Sequence, residues 1–347
     1  MVSIAYFNVF VGLDYHDCWI QVCVVDDAGN TLGNRRVPND ATCVGEFVDQ
    51  VSGGRGIGGA AIEACCGTAN LAEELQRKFD WEVHLAHAGI CSKMKQNPDK
   101  TDFSDAHLLA DLCRVGYLPR VWLPPRSIRD LRRLGRYRDQ LVQQRRNAKL
   151  RIRAMLREER IAAPSEAGNA WTVAWKRWVK GVTLDEHSRW IMDEHLDNLE
   201  RVSRKVREVE GRMEKATQDD PVVQKLRETK GVGLVTAVVM RAEIGSFDRF
   251  RSGKQLARYC AVTPKNVSSG SRQADGGLIN AGHLNLRTML IEAAHRLARY
   301  IPKWRQLKEQ LKAAGKPTSV ATAAIANRWV RKLYWEMRQA SPADVAA

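Results

Sequence analysis

The sequence predicts an α/β N-terminal part followed by a mostly α-helical remainder. Three short β-prone runs separated by turns lie within residues 4–37, and helical and β-prone segments then alternate up to residue 115. From Pro124-Pro125 onward, helical periodicities dominate. At 347 residues the chain is too long for one compact core, so we expect two or three domains.

The N-terminal elements begin with an antiparallel meander of three strands. The turn-forming sequence DDAGN at residues 26–30, between two β-prone runs, indicates the meander. The predicted elements are strands at 4–13, 19–25 and 31–37, a helix at 41–51, a strand at 59–64, a helix at 67–79, a strand at 81–86 and a helix at 103–115. This order is that of the ribonuclease H-like fold.

The middle of the chain is predicted to hold two long helices. Residues 126–160 contain 13 Lys and Arg against 4 Asp and Glu, which makes the first helix strongly basic. Its apolar seam recurs every seven residues, at Leu134, Leu141, Ala148 and Met155. The seam of the second helix steps by three and four residues through Leu199, Val202, Val206, Val209 and Met213. That pattern fits an antiparallel hairpin within one chain and a coiled coil between chains equally well.

Domain boundaries follow from these changes in pattern. A tryptophan-rich stretch lies between the two long helices, with rings that either pack the helices or stack on nucleic acid, packing being favoured: Trp171, Trp175, Trp178 and Trp190. Asp219-Asp220-Pro221 marks the end of the second helix. We predict domains at residues 1–123, 124–221 and 222–340, and a disordered tail at 341–347.

The charge of the chain favours a polyanionic partner. The formal net charge is +15 and the pI about 9.6, and such a surplus attracts nucleic acid through counterion release. No apolar run approaches the roughly 20 residues of a membrane-spanning helix, and no signal peptide is evident. Eight cysteines without C-x-x-C pairs or zinc spacing are expected to be reduced thiols of a cytosolic protein.

Four carboxylates are placed to hold divalent metal ions. Asp14 and Glu63 each lie at the end of a β-prone run. Asp102 and Asp105 lie three residues apart at the start of a predicted helix, so both face the same side. Mg²⁺ prefers oxygen ligands, and two such ions can activate the attacking oxygen and stabilise the leaving oxygen of a phosphoryl transfer. Singly, each carboxylate also fits a turn, a helix cap or an ion pair; the whole set in this order favours the metal site.

The C-terminal part contains two loop motifs. Gly231-Val232-Gly233 lies between helical stretches and resembles a helix-hairpin-helix turn, whose backbone N–H groups suit a phosphate; a tight turn between packed helices fits equally well. Thr263-Pro264 leads into a loop with serines at 268, 269 and 271. Such a loop is by itself typical of a flexible turn, and a serine nucleophile would need nearby cations or metal.

These motifs resemble the insertion-sequence-110/1111 family of DEDD transposases, which are serine-type recombinases guided by a bridge RNA and related to the pilin-gene invertase Piv. The resemblance covers most of the chain. It is strongest in DKTDFSDAHLLADL at residues 99–112 and in the segment from 230 to 294, while the middle matches only in helical character. Two motifs in the family order make the match specific.

The resemblance implies roles for individual residues. Asp14, Glu63, Asp102 and Asp105 are similar to the RuvC-like metal tetrad of the family. Ser269, which precedes a glycine soon after Thr-Pro, is similar to its catalytic serine, with Ser268 and Ser271 as alternates. The chain departs from the family pattern beside the first two carboxylates, at residues 15–17 and 64–67, where it has YHD and ACCG.

Nucleic acid is expected to contact the chain just before Asp102, the basic helix, the glycine turn and the serine-rich region. The residues expected to do so are Lys100, Arg132, Arg133, Arg136, Arg145, Arg146, Lys230, Gly231, Gly233, Lys265, Arg272 and Arg287.

The resemblance also implies an activity. Ser269 would attack a DNA phosphate and form a phosphoserine link, with Mg²⁺ or Mn²⁺ on the tetrad polarising that phosphate. The implied partners are the DNA of the element and its target, a structured guide RNA, and further copies of the chain in a dimer or tetramer. The implied location is the bacterial cytoplasm, in association with the nucleoid.

Two other functions remain compatible with the residues. A RuvC-like junction nuclease would use the same metal site with water as the nucleophile, and no covalent protein–DNA adduct would form. A nucleic-acid-binding protein with degenerate carboxylates would cause no metal-dependent strand cleavage.

Overall fold

A computed structural model describes residues 8–94, 101–266 and 275–340. Its contacts divide the chain into two units, Met1–Pro124 and Pro125–Ala347, and each has a hydrophobic core of its own. The first unit is mixed α/β and the described part of the second is mostly helical, so the predicted fold class is confirmed at that level. The division into three domains stays a prediction.

The first unit is built on a six-stranded mixed sheet with the strand order β3-β2-β1-β4-β5-β6. β1 pairs antiparallel with β2 and parallel with β4, β4 pairs parallel with β5, and β6 closes the far edge antiparallel to β5. The elements are β1 (Val9–Tyr15), β2 (Trp19–Asp26), β3 (Thr31–Pro38), α1 (Ala41–Ser52), β4 (Ile57–Glu63), α2 (Thr68–Phe79), β5 (Val83–Ala86), α3 (Ala88–Met94), α4 (Asp102–Arg114) and β6 (Arg120–Val121).

Alternation along the strands divides the sheet between two helical layers. One face presents β1 and β2 side chains such as Val11 and Val22 to helices α1 and α2. The opposite face carries Cys23 and Val25 of β2, which pack against Ala106 and Ala110 of α4. Helices on both faces explain why the central strands are apolar on both sides.

A glycine allows α4 to lie directly on the sheet. A Cβ added to Gly12 of β1 would meet the carbonyl oxygen of Ala106 at 1.9 Å and the amide nitrogen of Ala110 at 2.5 Å. Only a residue without a side chain fits between β1 and a helix at that distance. The close approach fixes the height of α4, and therefore of its N-terminus, above β1.

The described part of the second unit consists of helices and a short β-ribbon. Thr172, Asp220 and Ser252 cap the N-termini of three of its helices with their side-chain oxygens. Its elements are α5 (Arg126–Glu158), α6 (Val173–Lys180), α7 (Glu186–Ala216), α8 (Pro221–Arg227), α9 (Leu234–Ile244), α10 (Gly253–Tyr259), β7 (Pro264–Asn266), β8 (Asp275–Leu278), α11 (Leu284–Tyr300), α12 (Pro302–Ala313) and α13 (Thr318–Ala340).

Helices α5 and α7 form an antiparallel hairpin within the chain. Ala148 and Ile152 of α5 pack in one cluster with Met192 of α7, and towards the other end Arg138 donates to Glu210 over 2.8 Å. The predicted seam of α7 is buried along its whole length, from Leu199 to Met213. The structure therefore shows the hairpin, and α5 covers the seam that a second chain would otherwise have to cover.

The described residues form no helix that is long and apolar enough to cross a membrane. All eight cysteines are free.

Candidate metal centre and basic surfaces

Asp14 and Asp102 converge from a strand and a helix. Asp14 lies near the end of β1 on the face covered by α4, and Asp102 is the first residue of α4. Thr101 caps this helix by accepting a hydrogen bond from the Ser104 amide at 3.2 Å. The partial positive charge of the helix N-terminus favours carboxylates in its first turn. Since Gly12 sets the height of α4, the two carboxylates meet at the end of β1.

A histidine completes this group. His16 Nε2 lies 3.2 Å from Asp14 Oδ2 and 3.5 Å from Asp102 Oδ1. One ligand atom from each of these three residues lies within 4.8 Å of the others, which is the arrangement of a potential metal site. From the sequence, His16 was noted only as part of a departure from the family pattern. The turn that brings it back to Asp14 could not be read from residue types alone.

Polar side chains of β3 contact Asp102 and the first turn of α4. Arg36 of β3 donates to Asp102 Oδ2 over 2.9 Å, and its guanidinium lies 5.0 Å from the centre of the Trp19 ring. Asn34, the next residue of β3 on the same face, donates to the Phe103 carbonyl oxygen over 3.0 Å and accepts from buried Gln21 over 2.7 Å. Side chains of β3, which are supported by Gln21 and Trp19 of β2, therefore hold the first turn of α4 in position.

The local electrostatics fit a divalent cation. Burial is the main cause that raises the pKa of Asp14, and the charges of Asp105 and Asp102 raise it further, while His16 opposes the shift by its charge and hydrogen bond. Crowded carboxylates that repel one another are stabilised by a bound cation. The group of Asp14, His16 and Asp102 therefore fits a divalent metal.

The other two predicted carboxylates lie next to this group. The parallel register sets Gly12 beside Ala61, so Asp14 and Glu63 are the next residues of their strands on the same face. Burial, then the charges of Glu63 and Cys66 and, less strongly, Asp14, raise the pKa of the Cys65 thiol. Asp105 is buried in the first turn of α4, and its charge acts on Asp14. Neither Glu63 nor Asp105 belongs to the compact group of three ligand atoms.

A second charged cluster, which the sequence did not reveal, lies in the second unit. Glu243 of α9 is buried, and its carboxylate accepts from His283 Nε2 at 3.0 Å. His283 Nδ1 accepts from the Leu286 amide, so this side chain caps α11 as well. Arg132 and Arg136 of α5 each place Nε 3.5 Å from the Glu243 carboxylate. Burial would raise the pKa of Glu243, but the hydrogen bond from His283 and the three positive neighbours hold it below its usual range.

Two family profiles match the chain. A profile for the DEDD transposase domain of IS110 matches residues 11–160, and one described as "Transposase IS116/IS110/IS902 family" matches residues 223–309. The first match contains the candidate metal centre, and the second contains Glu243 and the serine-rich loop.

The chain belongs to the IS110/IS116/IS902 transposase family. The resemblance inferred from the motifs is thereby confirmed, and so is the class of enzyme, since transposases cut and rejoin DNA.

Individual proteins agree with the profiles. A transposase named y4qE from Sinorhizobium fredii is 30% identical over 195 residues, which are 56% of this chain and 47% of that protein. A family 20 transposase from Pseudomonas aeruginosa is 26% identical over 79% of this chain and 82% of its own length. The transposase for insertion sequence element IS1111A from Coxiella burnetii is 22% identical over 84% and 78%, respectively. The match spans about half the length of the Sinorhizobium protein.

The arginines predicted to contact nucleic acid differ in exposure along α5 of this transposase. Arg133, Arg136 and Arg146 are exposed, and Arg145 is half-buried. Arg132 is only 18% exposed and donates to the carbonyl oxygens of Ala242 and Glu243. Its guanidinium ties α5 to α9.

The remaining predicted contacts lie around the turns of the second unit. Lys230 and Lys265 are exposed, whereas Arg287 donates to the Ile279 carbonyl oxygen over 3.0 Å. Gly231 has a φ of 98° and lies so close to α11 that an added Cβ would be 3.1 Å from Arg296 Cβ, while exposed Gly233 is the N-cap residue of α9. Lys100, Ser268, Ser269, Ser271 and Arg272 lie outside the described residues, and their roles stay predictions.

Two cations of α5 lie over the ring of Trp171. Lys149 Nζ and Arg153 Cζ lie 4.8 Å and 5.2 Å from the centre of its ring. Burial, then the charges of Arg145, Lys176 and Arg153, lower the pKa of Lys149. We call Arg145, Lys149, Arg153 and Lys176 the Trp171 cation cluster. Among the described residues, no carboxylate forms an ion pair with any of the four.

Proposed function

We propose that this protein is a site-specific DNA recombinase of an insertion sequence, which cuts and rejoins DNA through a phosphoserine at Ser269. The observation that carries the proposal is the convergence of Asp14 and Asp102 from β1 and α4, in a chain of a transposase family. The strand order β3-β2-β1-β4-β5 with α4 on one face supports a RuvC-like fold of the ribonuclease H type for this unit.

The chemistry assigns separate roles to the carboxylates and the serine. The Ser269 oxygen would attack a DNA phosphorus atom, the bond from phosphorus to the 3′ oxygen would break, and the freed 3′ hydroxyl would take up the proton. Asp14, Glu63, Asp102 and Asp105 would hold Mg²⁺ or Mn²⁺, which when bound supplies positive charge to the phosphate oxygens and the leaving oxygen. Attack of another 3′ hydroxyl on the phosphoserine would rejoin the strands and release the serine.

Nucleic acid would be held by the basic surfaces of the second unit. The Trp171 cation cluster supports this part of the proposal, because four neighbouring positive charges that lack a carboxylate attract phosphates. Trp171 also has a φ of 75°, a left-handed backbone that bulky residues rarely adopt. A structured guide RNA would select the DNA by base pairing, so that the protein recognises shape and charge. The active assembly would be a dimer or tetramer of this chain.

A trapping experiment tests the reaction. The full-length protein, with RNA transcribed from the flanks of its gene, is incubated with labelled junction DNA and Mg²⁺, denatured and analysed by electrophoresis. We expect a covalent protein–DNA adduct that is lost in Ser269→Ala and in Asp102→Asn and retained in Ser246→Ala, a serine elsewhere in the second unit.

The alternative outcomes are distinct. Cleavage without an adduct that persists in Ser269→Ala would instead identify a hydrolytic nuclease with the same metal centre. An adduct that moves to a neighbouring serine would identify Ser268 or Ser271 as the nucleophile.

A further inference from the structure

His16 is the one nitrogen donor in the compact group of ligand atoms at the metal centre. We infer that His16 is a ligand of the ion and gives this transposase a mixed nitrogen–oxygen site that takes Mn²⁺ in preference to Mg²⁺. The inference rests on the proposed metal function of Asp14 and Asp102 and adds the identity of the ion to it.

The spacing of the donor atoms is that of ligands on a common ion. Two ligands about 2.1–2.2 Å from one ion, at angles between octahedral and tetrahedral, lie about 3.0–3.5 Å apart. His16 Nε2 is 3.2 Å from the Asp14 oxygen and 3.5 Å from the Asp102 oxygen. The imidazole nitrogen therefore faces both carboxylates at once, whereas a histidine that served one hydrogen bond would need only one of these contacts.

The position of the imidazole ring is built into the fold. The ring stacks on Trp19, with ring centres 4.9 Å apart and planes at 26°. The His16 amide donates to the Trp19 carbonyl oxygen over 3.0 Å, and Asn39 donates to the His16 carbonyl oxygen over 2.8 Å. Arg36 lies near the Trp19 ring and also binds Asp102, so it links both sides of the group. Ligands held by such outer contacts lose little freedom when an ion binds.

The donor set decides which ion is preferred. Mg²⁺ takes oxygen ligands almost exclusively and keeps much of its water, so it gains little from an imidazole nitrogen. Mn²⁺ accepts both nitrogen and carboxylate oxygen, and in a mixed site a transition ion is favoured by ligand type. Because both ions accept carboxylate oxygens, the imidazole is the donor that discriminates between them at this site.

Metal binding to the full-length protein, freed of metal by a chelator, tests the inference without any DNA. Mn²⁺ and Mg²⁺ affinities are measured by calorimetry, and bound Mn²⁺ is examined by pulsed electron paramagnetic resonance for coupling to an imidazole nitrogen. The variants are His16→Gln, which places an amide oxygen near the position of Nε2, His187→Gln on the exposed face of α7 as the matched control, and Asp14→Asn.

We expect nitrogen coupling in the unmodified protein and in His187→Gln, and none in His16→Gln. Mn²⁺ affinity should fall by about tenfold or more in His16→Gln, the scale known even for residues that only support a ligand, while Mg²⁺ affinity changes much less. Bound Mn²⁺ without nitrogen coupling, or equal losses for both ions, would overturn the role of His16 and leave the carboxylate site intact. If the unmodified protein bound neither ion, or Asp14→Asn bound both normally, the proposed metal centre itself would fail.

Discussion

At the scale of single residues, the buried Glu243 carboxylate is the centre of the charged cluster in the second unit. Three positive groups from two helices meet it, and its backbone carbonyl accepts from the Tyr259 hydroxyl at 2.9 Å. Removing one partner of a buried ion cluster destabilises a protein more than replacing the whole cluster by apolar residues would, because the remaining charges stay buried without a counter-charge.

Glu243→Gln is expected to lower the free energy of unfolding by about 2–3 kcal/mol at pH 7, somewhat less than a fully buried pair because Arg136 is exposed. The pKa of Glu243 lies below its usual range in the folded protein, so the stability it provides is present above the pKa of the unfolded chain and is lost as pH falls through the lower folded value. The difference between the proteins should therefore shrink in acid.

Chemical denaturation at pH 7 and at progressively lower pH measures this difference. The matched control is Glu292→Gln, an exposed glutamate of α11, whose effect should stay within about 0.5 kcal/mol. A constant difference between Glu243→Gln and the unmodified protein at every pH would contradict the assignment to its charge.

Residue types identified two carboxylates of the candidate metal centre but not the side chains around them. Asp14 and Asp102 could be identified because each has a recognisable place, at a strand end and at a helix start. His16 was missed, because a turn of three residues decides whether its ring returns to Asp14. Arg132 was expected to face nucleic acid, and only the fold reveals that Glu243 of a distant helix engages it.

At the scale of elements, α4 and the sheet together position the carboxylates of the candidate metal centre. The helix carries Asp102 and Asp105, while β1 carries Asp14, and their separation depends on how closely the helix approaches Gly12.

Gly12→Ala is expected to push α4 away from β1 and to weaken divalent-metal binding, because a Cβ would overlap the Ala106 carbonyl oxygen. We expect a loss of stability of about 1–3 kcal/mol, as for overpacked cores. Calorimetry with Mn²⁺ and thermal unfolding measure both effects. Gly211→Ala in the exposed face of α7, where nothing lies within 4 Å of the new Cβ, should instead stabilise the protein by about 0.5–1 kcal/mol. Unchanged metal affinity in Gly12→Ala would contradict the support role of α4.

The Trp171 cation cluster makes a second prediction at this scale. Replacing Arg145, Lys149 and Arg153 together by glutamine should reduce the slope of log affinity against log salt concentration by roughly 2–3 for RNA or DNA, since each phosphate contact contributes about 0.7–0.9. Fluorescence anisotropy over a salt series measures the slope. The control replaces Arg201, Arg204 and Arg207 of α7, which carry the same charge on another helix. Equal slopes for both triple variants would exclude a specific role of the cluster.

The helices of strong periodicity were predicted closely, whereas some of the short elements were not predicted. The helix expected at 41–51 is α1 (Ala41–Ser52), and the helix expected at 103–115 is α4 (Asp102–Arg114). Helix α3 and the two-residue strand β6 were not predicted, because seven and two residues are too few to display a period. The seam of α7 could not distinguish a partner in the same chain from one in another chain, since both present the same apolar surface.

At the scale of the whole molecule, the division at Pro124 and Pro125 separates two sets of internal contacts. Among the described residues, the core clusters of the first unit contain only residues before the division, and the helical core cluster of the second unit contains only residues after it. A unit that buries its own core can fold independently.

Fragments 1–124 and 125–347 are therefore each expected to unfold cooperatively, and the first alone should bind the divalent metal. Circular dichroism during heating and calorimetry with Mn²⁺ test both parts of the prediction. A fragment ending at residue 94 lacks α4 and serves as the control, which should be unstable because β1 and β2 lose their cover. A non-cooperative transition in fragment 1–124 would show that its fold needs the rest of the chain.

The two edges of the six-stranded sheet affect how readily the protein aggregates. An unpaired edge strand is a template for pairing with another chain, and such pairing leads to aggregates. One edge, β3, carries Arg35, Arg36 and a terminal proline, Pro38, and the other edge, β6, is only two residues long. Arg36 therefore has two roles: its charge neutralises Asp102, and the same charge on an edge strand discourages another molecule from extending the sheet. A sheet with one charged edge that ends in proline and one very short edge is therefore protected from being extended by further copies of the chain.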